Sequence, residues 1–187
     1  MLDTLRQDYP AVIEEVQGAL GVGEIQKVLQ GLLREQVSIR NMVVILEALA
    51  DYATVTKDTG FLVEKVRQAL GRQISLQYAG DERVLRVLTI EPSLEQEIID
   101  SRVETSSGVV SALPPDRQRS WIQALSQAVQ AVQEQGHLPV VLCSEAARPL
   151  VKGSTERELR DLAVLSIPEI VPDIRVESLG EIRLDEQ

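Results

Sequence analysis

SIRNMVVILEALADYA, Ser38 to Ala53, decides how the first half of this chain is read. It has the spacing of one helix with Ser38 as its N-cap, since a serine hydroxyl accepts from an unpaired N–H of the first turn. At 100° per residue, Met42, Ile45, Leu46, Leu49, Ala50 and Ala53 share one side, and Ile39 and Val43 widen that side to about 160°. Arg40, Glu47 and Asp51 lie opposite, with Val44 among them. So broad an apolar face suits the central helix of a small bundle better than a surface helix.

The flanking segments supply that bundle. Leu2, Leu5, Val12, Ile13 and Val16 mark an entry helix interrupted at Pro10. Gly18, Gly21 and Gly23 punctuate a turn, and Ile25, Val28, Leu29, Leu32 and Leu33 then follow the i, i+3, i+4, i+7 pattern. A further helix takes Asp58 or Thr59 as its cap, with Phe61, Leu62, Val66, Ala69, Leu70 and Ile74 as its buried stripe.

The pattern changes at YAGDE, Tyr78 to Glu82. RVLRVLTI is rich in β-branched and leucine residues and is expected to be a strand. Pro92 opens a short helix, ALPPDRQRSWIQALSQAVQAVQEQG forms a long one ending at Gly136, and LPVVLC is a short strand. SEAARPL starts a helix capped by Ser144, which TERELRDL continues or restarts after Gly153. AVLS is a strand, and DIRVESLGEIRL is a strand pair or one bent strand. The expected fold is α+β: a small helical subdomain over 1–80, then an α/β sandwich subdomain over 81–187 with a mixed sheet of about four strands.

Composition narrows the function. Acids outnumber bases 29 to 19, which disfavours nucleic acid and anionic lipid as partners. The excess is uneven, about −2 over 1–80 and about −8 over 81–187 by the same count of charged residues, as two separate units would give. A single cysteine, Cys143, rules out an internal disulfide and suits a reducing compartment. No run approaches the roughly 18 apolar residues of a membrane span.

No constellation carries strong chemistry. His137 and Cys143 flank an expected strand that would hold them about 20 Å apart, too far for a thiol–imidazole pair. Glu95, Glu97 and Asp100 cluster on one short helix, but nothing supplies the second environment that would drive two carboxylates apart in pKa. A solvated acidic face is the simpler reading. LGVGE has neither the preceding strand nor the third glycine of a phosphate-cradling loop. No catalytic, metal or cofactor residue is assigned, and a small hydrolase using Glu95 and His137 is the weakest alternative.

The residues themselves carry a resemblance. VLQGLLREQVSIRNMVVILEALADYATVTKD followed by LVEKVRQALGRQI resembles the helical subdomain of the bacterial type III export gate family. PVVLCSEAARPLV and LAVLSIPEIVPDIRVESLG resemble that family's closing subdomain, in the same order. The resemblance implies a membrane protein with four cytoplasmic subdomains, of which this chain matches the third and fourth, so a membrane half and two further subdomains are expected before residue 1. It further implies a homo-oligomeric ring, a nonamer in the family, on the cytoplasmic side of the bacterial inner membrane. That ring receives export chaperone–substrate complexes and ATPase-complex components. SIRNM and TKD lean towards the flagellar branch, with a virulence injectisome as the alternative. Gly153, Ile167 and Pro168 depart from the family pattern. In the family the helical subdomain contributes to subunit contacts. Arg34, Arg40, Glu47, Asp51, Glu64 and Arg67 are therefore the expected interface charges.

Overall fold

The computed structural model describes residues 7–105 and 108–184. It divides into two compact units, Met1–Ile74 and Ser75–Gln187, and each is taken by itself. Leu2 and Leu5 of the expected entry helix lie outside the described residues.

The first unit is helical. Helix α1 is Pro10–Ala19, with the proline in its first turn, where the missing N–H has no helical partner to lose. Helix α2 is Val22–Arg34. Gly21 is its N-cap, and the Glu24 carboxylate accepts from the Gly21 N–H at 2.6 Å, so LGVGE is a helix start. Helix α3 is Met42–Ala53 and packs against α1 and against α4, Thr59–Ala69. Met42, Ile45, Leu46, Ala48, Leu49, Ala50 and Ala53 are all buried, an arc of about 200° at helical spacing. The wide apolar side is core.

The expected cap at Ser38 and the expected burial of Phe61, Ala69 and Leu33 need correcting. The helix begins at Met42 with Asn41 in the cap position. The Ser38 hydroxyl instead accepts from Arg40 N–H at 3.4 Å, and the Ser38 carbonyl accepts from the Gln73 side chain at 2.9 Å. A serine that finds local backbone partners competes with the helix it would otherwise cap. On α4, Asp58 is the cap, its Oδ1 accepting from Gly60 N–H at 3.0 Å. Leu62, Val66, Leu70 and Ile74 are buried, but Phe61 and Ala69 are exposed, and Leu33 of α2 is exposed as well. Finally, Gly31 of α2 lies under Val63 of α4. A Cβ built there would sit 2.8 Å from the valine methyl, so the small residue permits the two helices to approach.

Helix α5, Gly71–Ala79, runs across the division between the units. The second unit holds a four-stranded sheet in the order β5-β4-β1-β6, built from β1 Val84–Ile90, β4 Val140–Cys143, β5 Ala163–Ser166 and β6 Arg175–Ile182. The sheet has the expected size, and all three of its pairings are parallel. The antiparallel pairing is segregated in a separate ribbon, β2 Arg102–Thr105 with β3 Gly108–Ser111. Sequence reading missed this ribbon, because RVET and GVVS are each four residues long and outside the core pattern. Parallel strands need crossovers, which explains the helices α6 (Pro92–Asp100), α7 (Pro115–Glu134) and α8 (Arg148–Thr155) between them. Burial on both faces follows: Val84, Leu85, Val87, Leu88 and Ile90 of β1 are all buried.

Trp121 and Leu125 of α7 and Ile98 of α6 pack with Val141, Val151 and Leu88 in one core. The Trp121 ring N–H donates to Ser154 Oγ at 3.1 Å, which satisfies its polar edge. Gly136 adopts φ +79° and ends α7, as its position suggested. The helix does not run on through TERELRDL: α8 stops at its first residue, Thr155, and Gly153 lies inside α8 rather than interrupting it. The Lys152 ammonium explains the stop, donating to Arg160 and Leu162 carbonyls at 2.8 and 2.9 Å. Those carbonyls are therefore held in a turn. DIRVESLGEIRL is one strand with an irregularity: Val87 pairs with Ser178 and Leu88 with Gly180, leaving Leu179 as the extra residue. That bulge, with the alternating charges of Arg175, Glu177 and Glu181, guards an otherwise open sheet edge.

Candidate functional site

In open parallel sheets, ligands are received in the crevice beyond the carboxyl ends of the strands. Here the backbone at that end is hydrogen-bonded within the chain. The Glu91 N–H that follows β1 donates to the carbonyl of Ile182 on β6 at 3.0 Å. The Ser144 N–H that follows β4 donates to the Glu95 carboxylate at 2.8 Å. Ser144 Oγ accepts from Ala147 N–H at 3.3 Å, one turn before α8 is fully formed.

The acidic helix α6 is therefore more than a solvated face. Glu95 ties it to the β4–α8 turn. Glu97 forms a two-point ion pair with Arg117 of α7, one bond being Nε to Oε1 at 2.8 Å. The Arg117 hydrogen bonds hold the Glu97 carboxyl below its ordinary range and raise the guanidinium in turn. Asp100 accepts from the Gln96 amide at 2.8 Å. His137 is half-buried beyond the end of α7, its backbone N–H donating to the Val132 carbonyl at 3.1 Å. Cys143 is buried, with its thiol 3.8 Å from the Leu165 carbonyl. The residues of the hydrolase reading are thus spread among separate structural bonds. Deeper in the unit, Glu169 is fully buried, and its carboxylate accepts from Ser166 N–H at 2.6 Å and Ser166 Oγ at 3.2 Å. Among the described residues no buried side-chain polar atom lacks a hydrogen bond. These polar groups hold the unit in shape.

The expected interface charges fall into two groups. Arg34 at the end of α2, Arg40 before α3, and Glu47 and Asp51 on the outer face of α3 are exposed, and Glu64 on α4 is half-buried. Arg67 does not belong with them. It is 2% exposed and ion-paired with Glu35 at 3.2 Å, so it joins α4 to the end of α2 and presents no charge to a neighbour. Its position explains this. Counting 100° per residue from Leu62, Arg67 falls at about 140°, on the same side as the buried Val66 at about 40° and Leu70 at about 80°.

Two aromatic residues stand out: Tyr52, to which the sequence reading gave no place, and Phe61, which it put in the buried stripe. Tyr52 ends α3 and Phe61 begins α4. Their rings meet edge to face with centroids 6.2 Å apart and planes at 71°. The Lys65 ammonium lies over both, 5.7 Å from the tyrosine centroid and 5.4 Å from the phenylalanine. Tyr52 is 37% exposed, Phe61 39%, and Val55 in the α3–α4 connection 80%. The signal was available, since Phe61 lies about 100° from Leu62 on the helix wheel and outside the buried arc.

Comparison with known proteins places this architecture. Residues 1–175 match the model of the FHIPEP family. The flagellar biosynthesis protein FlhA of Borreliella burgdorferi is 48% identical over 185 residues, which cover 99% of this chain and 26% of that protein. The low calcium response locus protein D of Yersinia pestis is 30% identical over 98% of this chain and 26% of its own length. The chain thus spans about a quarter of the curated relatives it matches. Among solved structures, the CdsV protein of Chlamydia pneumoniae matches with a TM-score of 0.90 and 30% identity over 98% of this chain and 52% of that one. A complex of CdsV with CdsO matches at a TM-score of 0.83 and 29% identity, over 98% and 54%. Nonameric EPEC SctV-C matches at 0.85 and 31%, over 97% and 54%. With the family model matched over residues 1–175 and identity across almost its full length, the chain belongs to the FHIPEP family, the type III export gate proteins of flagella and injectisomes.

Proposed function

We propose that this chain is a non-catalytic assembly and docking module of a flagellar type III protein export gate. In this reading, residues 1–80 are the third and 81–187 the fourth cytoplasmic subdomain of a protein held in the bacterial inner membrane. Copies associate into a ring that receives export chaperone–substrate complexes and ATPase-complex components. The observation that carries it is the match over 97% of the chain to a relative solved as a nonamer. The interior supports it too: polar groups such as Glu95, Lys152 and Glu169 are spent on holding backbone in place. Such a body presents a fixed surface to partners. Arg34, Arg40, Glu47, Asp51 and Glu64 supply rim charges, which set register and on-rate more than affinity.

The flagellar branch is favoured over the injectisome by identity, 48% to a flagellar relative against 30% to the Yersinia protein. A graft tests this. Replacing the matching stretch of Borreliella burgdorferi FlhA by this chain is expected to leave motility intact, whereas the same graft in the Yersinia protein abolishes type III secretion. Loss of motility together with intact secretion would assign the chain to the other branch. Loss of both would remove the export-gate role.

A further inference from the structure

We draw no further inference here: the strongest candidate, the exposed apolar patch of Tyr52, Val55 and Phe61 at the α3–α4 connection, carries none because nothing in the structure shows what covers it.

Discussion

Shortening Leu49 to alanine is expected to cost the helical unit about 3–4 kcal/mol, read as a fall in the urea midpoint of helix unfolding. Leu49 is fully buried on the central helix, with Ile45, Leu46 and Ala53 on the same face. The cost has two parts: the lost transfer energy of the side chain, and a cavity that the helices packed on α3 close only in part. Neither part applies on the polar back of the same helix. Glu47→Ala and Asp51→Ala are expected to change stability by less than about 0.5 kcal/mol. Leu33→Ala gives the same small effect, because Leu33 is 52% exposed although the helical pattern placed it in the stripe. A cost at Leu33 as large as that at Leu49 would show that α2 is rotated from the orientation described.

The second large effect is at Arg67. Replacing it with alanine removes the partner of Glu35 from a site where the arginine is 2% exposed and the glutamate 15%. Breaking a buried pair from one side costs about 3 kcal/mol or more, since the remaining charge is left in a poorly solvated place. Part of the loss is packing, because the arginine stem lies in the buried stripe. Arg67→Met retains most of that volume and is expected to cost less than Arg67→Ala. Arg67→Met combined with Glu35→Leu is expected to fall within about 1 kcal/mol of the unsubstituted chain. The double-mutant cycle then measures the pair. A charge exposed on the rim, as the sequence alone suggested for Arg67, would give less than about 0.5 kcal/mol in the single variant.

Much of the architecture was legible because it follows from periodicity. The helical half, the strand at Val84–Ile90, the long helix closed by Gly136 and the short strands VVLC and AVLS all occur where the pattern placed them. What failed was decided by local hydrogen bonds or by neighbours distant in sequence. Ser38 has cap chemistry, but its hydroxyl serves Arg40 and its carbonyl serves Gln73, so α3 starts at Met42. ERELRDL has helix formers, yet the Lys152 ammonium draws two of its carbonyls into a turn. The β2–β3 ribbon pairs four residues with four and places little in the core, so neither length nor burial announced it.

Legibility at the candidate surfaces was of another kind. Charge type marked Arg34, Arg40, Glu47, Asp51 and Glu64 for an interface, and helical phase alone separates Arg67 from them. The acidic helix read as solvent-facing, but Glu95 and Glu97 find partners at Ser144 and Arg117, 49 and 20 residues away. No pattern within nine residues of α6 could show that. The aromatic pair was hidden by the habit of assigning phenylalanine to a core. Its phase on α4 and the chain's economy with aromatics point the other way.

The proposed assembly role is tested most directly by sedimentation velocity against concentration and salt. The chain is expected to move from monomer to larger species as concentration rises, at an ionic strength that screens the repulsion between copies of net charge −10. The rim-charge contribution weakens as salt shortens the Debye length from about 30 Å at 0.01 M to about 10 Å at 0.1 M. A single monomer boundary at every concentration and every salt would contradict the account.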